Sequence, residues 1–290
     1  MKNQKKAELV RRVEAMTGYP RAPICRALGI SRATAYRGLV PRGRRYITGD
    51  DRVVRARVRH VIRTRGSYGY RRVTALVNRE FSAGYNRKRI RRVMELNGWN
   101  LPRPSKRTTG RAHTGRVACD RSNERWCSDT LEIACWTGEV VELGFALDCA
   151  DREWLAYVGE ARALRGEDIR ALMHAAVRTR CGDGRPGVPI QWLSDNGGIY
   201  TALETVIAAE RLGLVPITTP SYSPQSNGMA EAFVHTLRRD YLAGADLSSA
   251  AAVLRQLAAW QADYNGIAPH SALGYRAPHE YRAAQAAEVG

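Results

Sequence analysis

The sequence lacks any apolar run long enough to cross a membrane. None of its 290 residues lies in a stretch approaching the ~18 consecutive apolar residues of a spanning helix. The amino terminus, MKNQKKAELV, is basic and has no apolar segment of the kind that a signal peptide requires. We therefore expect a soluble, cytoplasmic protein that makes no contact with a membrane.

A second absence concerns metal sites built from cysteine and histidine. The chain has six cysteines, none of them in a Cys-x-x-Cys pair, and its six histidines are scattered. This spacing does not match the ligand pattern of a structural zinc site. We expect six reduced thiols in a reducing compartment.

Acidic residues are scarce in the first part of the chain. Residues 1–115 hold 30 Lys and Arg against 6 Asp and Glu, a net charge of +24, whereas residues 116–290 hold 16 against 22, a net charge of −6. Only 5 of the 46 basic residues are lysine. Arginine suits bidentate contacts with phosphate and guanine, although a GC-rich genome gives the same bias. The asymmetry indicates a basic part that grips DNA and an acidic part that binds metal.

Residues 1–45 are typical of a helix-turn-helix. KKAELVRRVEAM has a helical pattern, Pro20 and Pro23 lie near the next helix start, and Gly29 fits the turn that follows. Ser31 is suited to cap the candidate recognition helix, SRATAYRGL. We expect four of its side chains to reach DNA: Arg32, Thr34, Tyr36 and Arg37. The alternative is a small packing domain with a basic surface.

Residues 46–100 predict a second helical DNA-binding module. The helical stretches are DRVVRARVRHVIRTRG, YRRVTALVNREF and NRKRIRRVMELNG, and Asn86 can cap the third. That third helix is strongly basic, and we expect five of its side chains to contact the DNA backbone: Arg87, Lys88, Arg89, Arg91 and Arg92. A solvated charged face is the alternative, but no acid occurs in the helix before Glu95. Residues 101–124 predict a basic linker.

From Arg125 the pattern changes to strands and helices. Three β-rich runs, RWCSDTLEI, VVELGFALDC and WLAYVGEA, predict an antiparallel meander. Two further short strands, PIQWLSDN and LVPITTP, alternate with helical stretches, and two long helices follow. We expect residues 125–290 to form an α/β domain with a mixed five-stranded sheet, preceded by the all-α modules.

Three acids lie where such a domain can bring them together. Asp129 lies on the first strand, Asp195 at the end of the fourth, and Glu231 in the first turns of the helix after Asn227. Two hard cations ~3.5–4 Å apart can activate a nucleophilic oxygen and stabilise a leaving oxygen in phosphodiester transfer. Carboxylates are the protein ligands that Mg²⁺ takes. We expect these three acids to be catalytic and to hold two Mg²⁺ ions, for which Mn²⁺ can substitute.

Two other acids compete for that role. Asp148 and Asp151 bracket the turn after the second strand, and Asp148 ends the strand itself. We favour a role in the turn for both residues.

The helix after Asn227 divides into an apolar and a polar stripe. The apolar stripe holds Phe233, Val234, Leu237 and Tyr241. The polar stripe holds Glu231, His235 and Arg238. We expect metal at its Glu231 end and a DNA phosphate at Arg238, whereas an ordinary solvated face is the alternative.

Four stretches together resemble one family. They are WCSDTLEIACWTGEVVELGFALDCADRE, QWLSDNGG, TTPSYSPQSNGMAEAFVHTLRRDY and YNGIAPHSALGYRAPHEY. From about residue 52 to residue 281 the chain resembles the transposases of the insertion-sequence-3 family, above all the second-reading-frame protein of its insertion-sequence-2 subgroup. Those enzymes have an RNase H-like core similar to retroviral integrase. Their triad of two aspartates and a glutamate matches Asp129, Asp195 and Glu231, and their basic residue seven positions later matches Arg238.

The resemblance implies a DNA transposase. Such an enzyme binds the terminal inverted repeats of its insertion sequence, cleaves the 3′ ends and transfers the freed strand, usually joining one end to the other first. It implies double-stranded DNA as partner, work at the bacterial nucleoid, and a homo-oligomer of at least two chains in the synaptic complex. Ribosomal frameshifting often fuses these enzymes to an upstream-frame product, and the sequence leaves that open here.

Two other functions are compatible with parts of the sequence. A non-transposing nuclease of the same fold, such as a junction resolvase, would have no need of the sequence-reading modules at the amino terminus. A DNA-binding repressor with an inactive core would have no need of the intact acid set. We therefore favour the transposase.

Overall fold

The computed structural model describes residues 3–36, 51–102, 119–219 and 228–289. The chain divides into two compact units, residues 1–56 with 92–99 and residues 57–91 with 100–290. The expected boundary at residue 45 and most of the expected linker lie outside the described residues. The expected domain limits therefore stay predictions.

Three short helices pack around a small apolar core in the first unit. They are α1 (Asn3–Thr17), α2 (Arg21–Ala27) and α3 (Arg32–Tyr36). Their core contains Val10, Ile24, Cys25 and Ala35. Ser31 caps α3 as expected, because its hydroxyl accepts a hydrogen bond from the Thr34 backbone N–H at 3.1 Å. Gly29, with φ of 61°, makes the turn between α2 and α3.

Three longer helices follow with nearly the expected limits. They are α4 (Asp51–Thr64), α5 (Tyr70–Glu80) and α6 (Arg87–Leu96). The expected cap of α6 is confirmed, because Asn86 Oδ1 accepts a hydrogen bond from the Lys88 backbone N–H at 2.8 Å. Ile90, Val93 and Met94 are buried, so the opposite side of α6 carries its charges.

The remainder of the second unit is built on a five-stranded sheet. Its strands are β1 (Arg125–Ala134), β2 (Val140–Asp148), β3 (Trp154–Glu160), β4 (Ile190–Ser194) and β5 (Leu214–Thr218). Their order in the sheet is β3-β2-β1-β4-β5. The first three strands are antiparallel neighbours, while β4 runs parallel to β1 and β5 runs parallel to β4. The expected mixed sheet is confirmed, and β1 lies at its centre.

Helices cover both faces of this sheet. They are α7 (Gly166–Cys181), α8 (Gly198–Thr201), α9 (Leu203–Arg211), α10 (Gly228–Asp240) and α11 (Ala250–Gly266). Successive strand side chains alternate between faces, so Trp126 packs with α7 and α9 whereas Cys127 packs with α10 and α11. This order of strands, covered by helices on both faces, is the expected RNase H-like fold.

A last helix, α12 (Pro278–Val289), was not expected from the sequence. The signals for it were present. Pro278 occupies the first helical position, where its missing N–H costs nothing. The Glu280 carboxylate accepts a hydrogen bond from the Ala277 backbone N–H at 2.8 Å.

The acids of the β2–β3 turn have a structural role, as favoured. Asp148 is fully buried and accepts hydrogen bonds from the Trp126 indole and from three backbone N–H groups. Asp151 is also fully buried and pairs with Arg180 at 2.8 Å. Buried carboxylates with this many donors hold a turn in place.

Ion pairs fix the segment around α5 to the helices of the same unit. Arg65 forms a bidentate pair with Asp263, with one nitrogen 2.8 Å from Oδ2. Arg72 pairs with Asp240 at 2.6 Å. The Ser67 hydroxyl donates to the same Asp240 carboxylate at 2.6 Å. Because the Asp240 side chain is 1% exposed, this contact is a buried one.

Across residues 3–36, 51–102, 119–219 and 228–289, no helix is both long and apolar enough to span a membrane. All six cysteines are free thiols: Cys25, Cys119, Cys127, Cys135, Cys149 and Cys181.

Candidate active site

The pairing of β1 with β4 brings two of the expected acids together. The parallel register places Cys127 opposite Leu193, and both side chains belong to the core under α10 and α11. Asp129 lies two residues further along β1 on that same face, and Asp195 directly follows the last residue of β4. Neighbouring strands are ~4.8 Å apart, so the chain brings the two aspartates close together.

A tight turn keeps Asp195 accessible where β4 ends. Its carboxylate accepts a hydrogen bond from the Gly197 backbone N–H at 3.0 Å. A Cβ atom on residue 197 would lie 3.0 Å from that same carboxylate oxygen, so glycine permits the close approach. Asn196 donates to the Thr219 backbone carbonyl at 2.8 Å and ties the turn to the end of β5. Asp195 itself is exposed.

Helix α10 presents the third acid because its other side is buried. Ala230, Phe233 and Leu237 belong to the core on the β1 face of the sheet, and Val234 packs against it. Tyr241, one residue beyond the helix, is buried in the same core. The expected polar stripe is exposed along its length: Glu231, His235 and Arg238. The expected division of this helix is confirmed.

An open cleft of about 470 Å³ runs between β1 and α10. We call it the acidic cleft, and its polar lining is Asp129, Thr130, Glu132, Glu142, Glu231, His235 and Arg238. Among these lining residues four are carboxylates and one is a guanidinium, and the Glu142 carboxylate also accepts a hydrogen bond from the Leu164 backbone N–H at 2.7 Å. Asp195 is not among the lining residues, but its charge acts on Asp129.

The electrostatics of Asp129 reflect its burial and the two neighbouring acids. Burial raises the pKa of this carboxyl, and the nearby charges of Asp195 and Glu231 raise it further. The Thr130 backbone N–H, 2.9 Å away, opposes the shift. Burial and neighbouring negative charges disfavour the ionised form of this carboxyl, and a cation bound nearby would stabilise that form.

These residues fit a divalent metal ion by their chemistry. Asp129, Asp195 and Glu231 offer hard oxygen donors, which Mg²⁺ prefers. Within the described part of the chain, no group of three or more His, Cys, Asp or Glu side chains is arranged as a metal site. The fit therefore rests on the donor type and on the mutual repulsion at Asp129.

The expected DNA contacts on α3 differ in exposure. Arg32 and Tyr36 are exposed, and the Arg21 guanidinium lies 4.6 Å from the centre of the Tyr36 ring. Thr34 is half-buried, and its hydroxyl lies 2.9 Å from that of Ser31. Arg37 lies outside the described residues.

The expected contacts on α6 include one residue with a structural partner. Arg92 pairs at 2.8 Å with Asp51, which is 5% exposed. Reasoning along α6 alone could not find this acid, because α4 supplies it. Arg89 and Arg91 lie 5.5 and 5.6 Å from the ring centres of Tyr85 and Tyr70. Arg87 and Lys88 are exposed.

Sequence reasoning missed a second polar cavity beside α10. It has a volume of about 420 Å³, and its lining includes Arg71, Arg72, Arg239 and Asp240. Each arginine stands in a visible pair, YRR in α5 and LRR in α10. Only the tertiary contact between Arg72 and Asp240 shows that they face one cavity.

Similarity to known proteins identifies the family. Over 244 residues the chain is 44% identical to transposase InsD for insertion element IS2A/D/F/H/I/K of Escherichia coli, covering 82% of this chain and 81% of that relative. The chain belongs to the insertion-sequence-3 family of transposases. A further relative, transposase InsD for insertion element IS2-9 of Escherichia coli strain K12, is also 44% identical, and 80% of it is covered.

Two family models match parts of this transposase. An HTH-like domain matches residues 49–107, and an integrase core domain matches residues 212–278. The second match includes Glu231 and Arg238. The transposase thus has an integrase catalytic core and belongs to the DDE-type polynucleotidyl transferases.

Solved structures show a more distant similarity. The simian T-cell lymphotropic virus intasome in complex with the PP2A regulatory subunit B56 gamma is 16% identical, with a TM-score of 0.46, over 71% of this chain and 73% of that one. The catalytic core of BIV integrase is 16% identical, with a TM-score of 0.37, over 58% and 99%. The Mos1 transposase catalytic domain with raltegravir and Mg is 19% identical, with a TM-score of 0.38, over 48% and 71%.

Proposed function

We propose that this transposase cleaves the 3′ ends of its insertion sequence and transfers them, with Asp129, Asp195 and Glu231 as the catalytic acids. The observation that carries the proposal is the electrostatic coupling at Asp129. That carboxyl lies on the central strand, where burial raises its pKa and the charges of the other two acids raise it further. Three carboxylates on one sheet face and one neighbouring helix form a donor set for divalent ions, with Mg²⁺ as the expected species.

The chemistry is two exchanges at phosphorus. In the first, a water oxygen loses a proton and bonds to the phosphorus of a phosphodiester at the DNA end, the bond to the 3′ oxygen breaks, and that oxygen takes up a proton. In the second, the freed 3′-OH loses its proton and bonds to the phosphorus of another phosphodiester, whose bond to its own 3′ oxygen breaks, and that oxygen takes up a proton. Divalent ions held by Asp129, Asp195 and Glu231 would activate the attacking oxygen and stabilise the departing one. The sheet and α10 keep the three carboxylates in position through both exchanges.

The residues of α10 divide the work along the helix. Arg238 lies seven residues after Glu231, which is ~10 Å along the helix axis. That separation is too long for a shared ion and suits a flanking phosphate of the same DNA end. The guanidinium of Arg238 holds that phosphate while the acids act on the bond to be broken.

The helical modules supply recognition of the terminal repeats. Their exposed cations, among them Arg32, Arg87 and Lys88, meet DNA phosphates and bases. Bringing two ends together requires at least two chains in the synaptic complex. A fusion of this chain to the product of an upstream reading frame is compatible with this division. Because the substrate is DNA, we expect the enzyme to act at the nucleoid.

Neutral isosteres of the acids test the proposal. The expected result for Asp129→Asn, Asp195→Asn and Glu231→Gln is a loss of end cleavage of about 1,000-fold or more, with end binding retained. The substrate is a duplex copied from the DNA that flanks the gene. Matched controls are Asp183→Asn and Glu210→Gln, which are exposed acids of the same types away from the cleft. Full cleavage by any of the three variants would remove that residue from the active site.

A further inference from the structure

A basic groove lies next to the acidic cleft. It consists of two cavities of about 420 and 490 Å³ that share Arg71 and Tyr275 as lining residues. We define the basic groove by these side chains: Tyr70, Arg71, Arg72, Arg87, Arg239 and Tyr275. All of them belong to the second compact unit.

The groove has an excess of positive charge. Among the described residues that line it, Asp240 is the sole acid, and four arginines stand against it. Asp240 pairs with Arg72 at 2.6 Å and with Arg239 at 2.6 Å. The groove therefore has a net charge of +3.

Arg71 and Arg87 carry the part of this charge that no acid in the groove balances. Both side chains are exposed. Arg71 hydrogen-bonds to the phenol oxygen of Tyr70 at 3.3 Å, and it also hydrogen-bonds to Tyr275. Phenols orient a guanidinium without neutralising it, so its charge stays available to an anion.

The same arginines act together on the phenol of Tyr70. The hydrogen bond from Arg71 lowers the pKa of the Tyr70 phenol, and the charges of Arg71, Arg91 and Arg87 lower it further. Helices α5 and α6 both contribute these cations. The positive potential is thus a property of the groove and not of one side chain.

A strained loop positions Tyr275. This residue has φ of 69°, in the left-handed region that non-glycine residues avoid. The His270 backbone N–H donates to the Arg276 carbonyl at 3.0 Å, and the Tyr275 N–H donates to the His270 carbonyl at 2.8 Å. Strain of this kind persists where the surrounding structure enforces it, as at ligand-binding sites.

Helix α10 connects the groove to the acidic cleft. Glu231, His235 and Arg238 line the cleft, whereas Thr236, Arg239 and Asp240 line the groove. Along the helix axis, Arg239 lies ~12 Å from Glu231. One DNA strand has a phosphate every ~3.4 Å of helix axis, so that distance covers roughly three or four phosphates.

We propose that the basic groove binds the phosphate backbone of the DNA strand that passes over α10 into the acidic cleft. Arg71 and Arg87 contact phosphates, Arg72 and Arg239 form the wall, and Tyr275 orients Arg71. The claim that this strand continues to the catalytic acids rests on the proposed function. Its ligand chemistry, a row of phosphodiesters, follows from the charge and length of the groove.

Affinity measurements test the groove independently of the chemistry. The protein is the full-length chain carrying Asp195→Asn, and the ligand is a duplex copied from the DNA that flanks the gene. The dissociation constant is measured between 50 and 200 mM salt. Over that range a protein with several phosphate contacts loses ~10³-fold or more in affinity. Adding Arg71→Ala should weaken binding about tenfold and reduce the salt slope by about one. Arg211→Ala, an exposed arginine on α9 at the opposite face of the sheet, is the matched control. No loss with Arg71→Ala, or an equal loss with Arg211→Ala, overturns the proposal.

Two further arms separate the two sources of such phosphates. If the groove holds the transposon end, Arg71→Ala raises the concentration of end duplex needed for half-maximal cleavage. If it holds target DNA, cleavage of the end is unchanged and the target concentration for half-maximal joining rises. The first outcome supports the proposal, whereas the second outcome, or no shift in either assay, contradicts it. Full cleavage by the Asp129→Asn, Asp195→Asn or Glu231→Gln variant would contradict the proposed function without contradicting the groove, because the salt dependence of binding reports phosphate contacts only.

Discussion

The two clefts beside α10 are opposites built from one helix. The acidic cleft sets Asp129, Glu231 and two further carboxylates against Arg238, whereas the basic groove sets four arginines against Asp240. Opposite fields within ~12 Å separate two tasks, since one side attracts cations and the other attracts phosphates. The lesson is that charge placed on two sides of one helix can sort a metal ion from the DNA that it acts on.

The aspartates of the two clefts show the same contrast. Burial raises the pKa of Asp129, and the other acids add to the shift. Burial also acts to raise the pKa of Asp240, but hydrogen bonds from Arg239, Arg72 and Ser67 lower it overall. One aspartate is thus left in need of a cation and the other is already satisfied by the protein.

The largest effect on stability is expected from Asp240→Ala. The substitution leaves Arg72, which is 19% exposed, without its counter-charge. Breaking a buried pair by removing one partner should lower the free energy of unfolding by about 3 kcal/mol. Urea unfolding of the full-length chain measures it, with Asp183→Ala as an exposed control. Equal stability of the two variants would mean that Asp240 does not hold the wall of the groove.

A smaller effect is expected from the pH dependence of His270, which also lines the groove. Burial lowers the pKa of this imidazole from 6.5 to about 4. Its folded-state value lies below the unfolded one, so its contribution to stability is complete above pH 6.5 and is lost as the pH falls towards 4. Between pH 6.5 and pH 4, the free energy of unfolding of the wild type should fall by at most about 3 kcal/mol more than that of His270→Gln, as measured by urea unfolding at each pH.

The control for this pH dependence is His174→Gln, because His174 is exposed. This variant should show the same difference in free energy of unfolding between pH 6.5 and pH 4 as the wild type. A His270→Gln variant with the full pH dependence of the wild type would show that His270 is not the titrating group.

The smallest effect concerns Arg238, the cation of the acidic cleft. Arg238→Ala should slow end cleavage about tenfold, because one charge-assisted contact to phosphate is lost. Added Mg²⁺ should not restore the rate, whereas Arg238→Lys should restore it in part, since a point charge still meets a phosphate. Rates on a pre-formed end duplex, compared with those of Arg178→Ala on α7, measure the effect. If Arg238→Ala cleaves at the wild-type rate, Arg238 only faces solvent and does not contact the DNA end.

The sequence predicted the acidic cleft better than the basic groove, for a physical reason. Strand alternation and helical period are local, so they placed Asp129 on β1, Asp195 at the end of β4 and Glu231 on the polar side of α10. The groove depends on contacts distant in sequence, such as that between Arg72 and Asp240 across 168 residues. No periodic pattern carries that information. The same limit hid Asp51 as the partner of Arg92.

The central claim is that carboxylates do the chemistry on one side of α10 while arginines hold DNA on the other. Single-turnover cleavage against the concentration of end duplex, for Glu231→Gln and Arg71→Ala in parallel, tests it most directly. We predict that Glu231→Gln loses about 1,000-fold or more in the rate at saturation and keeps its affinity, while Arg71→Ala loses about tenfold in affinity and keeps that rate. A common loss of rate and affinity in both variants would contradict the division of labour.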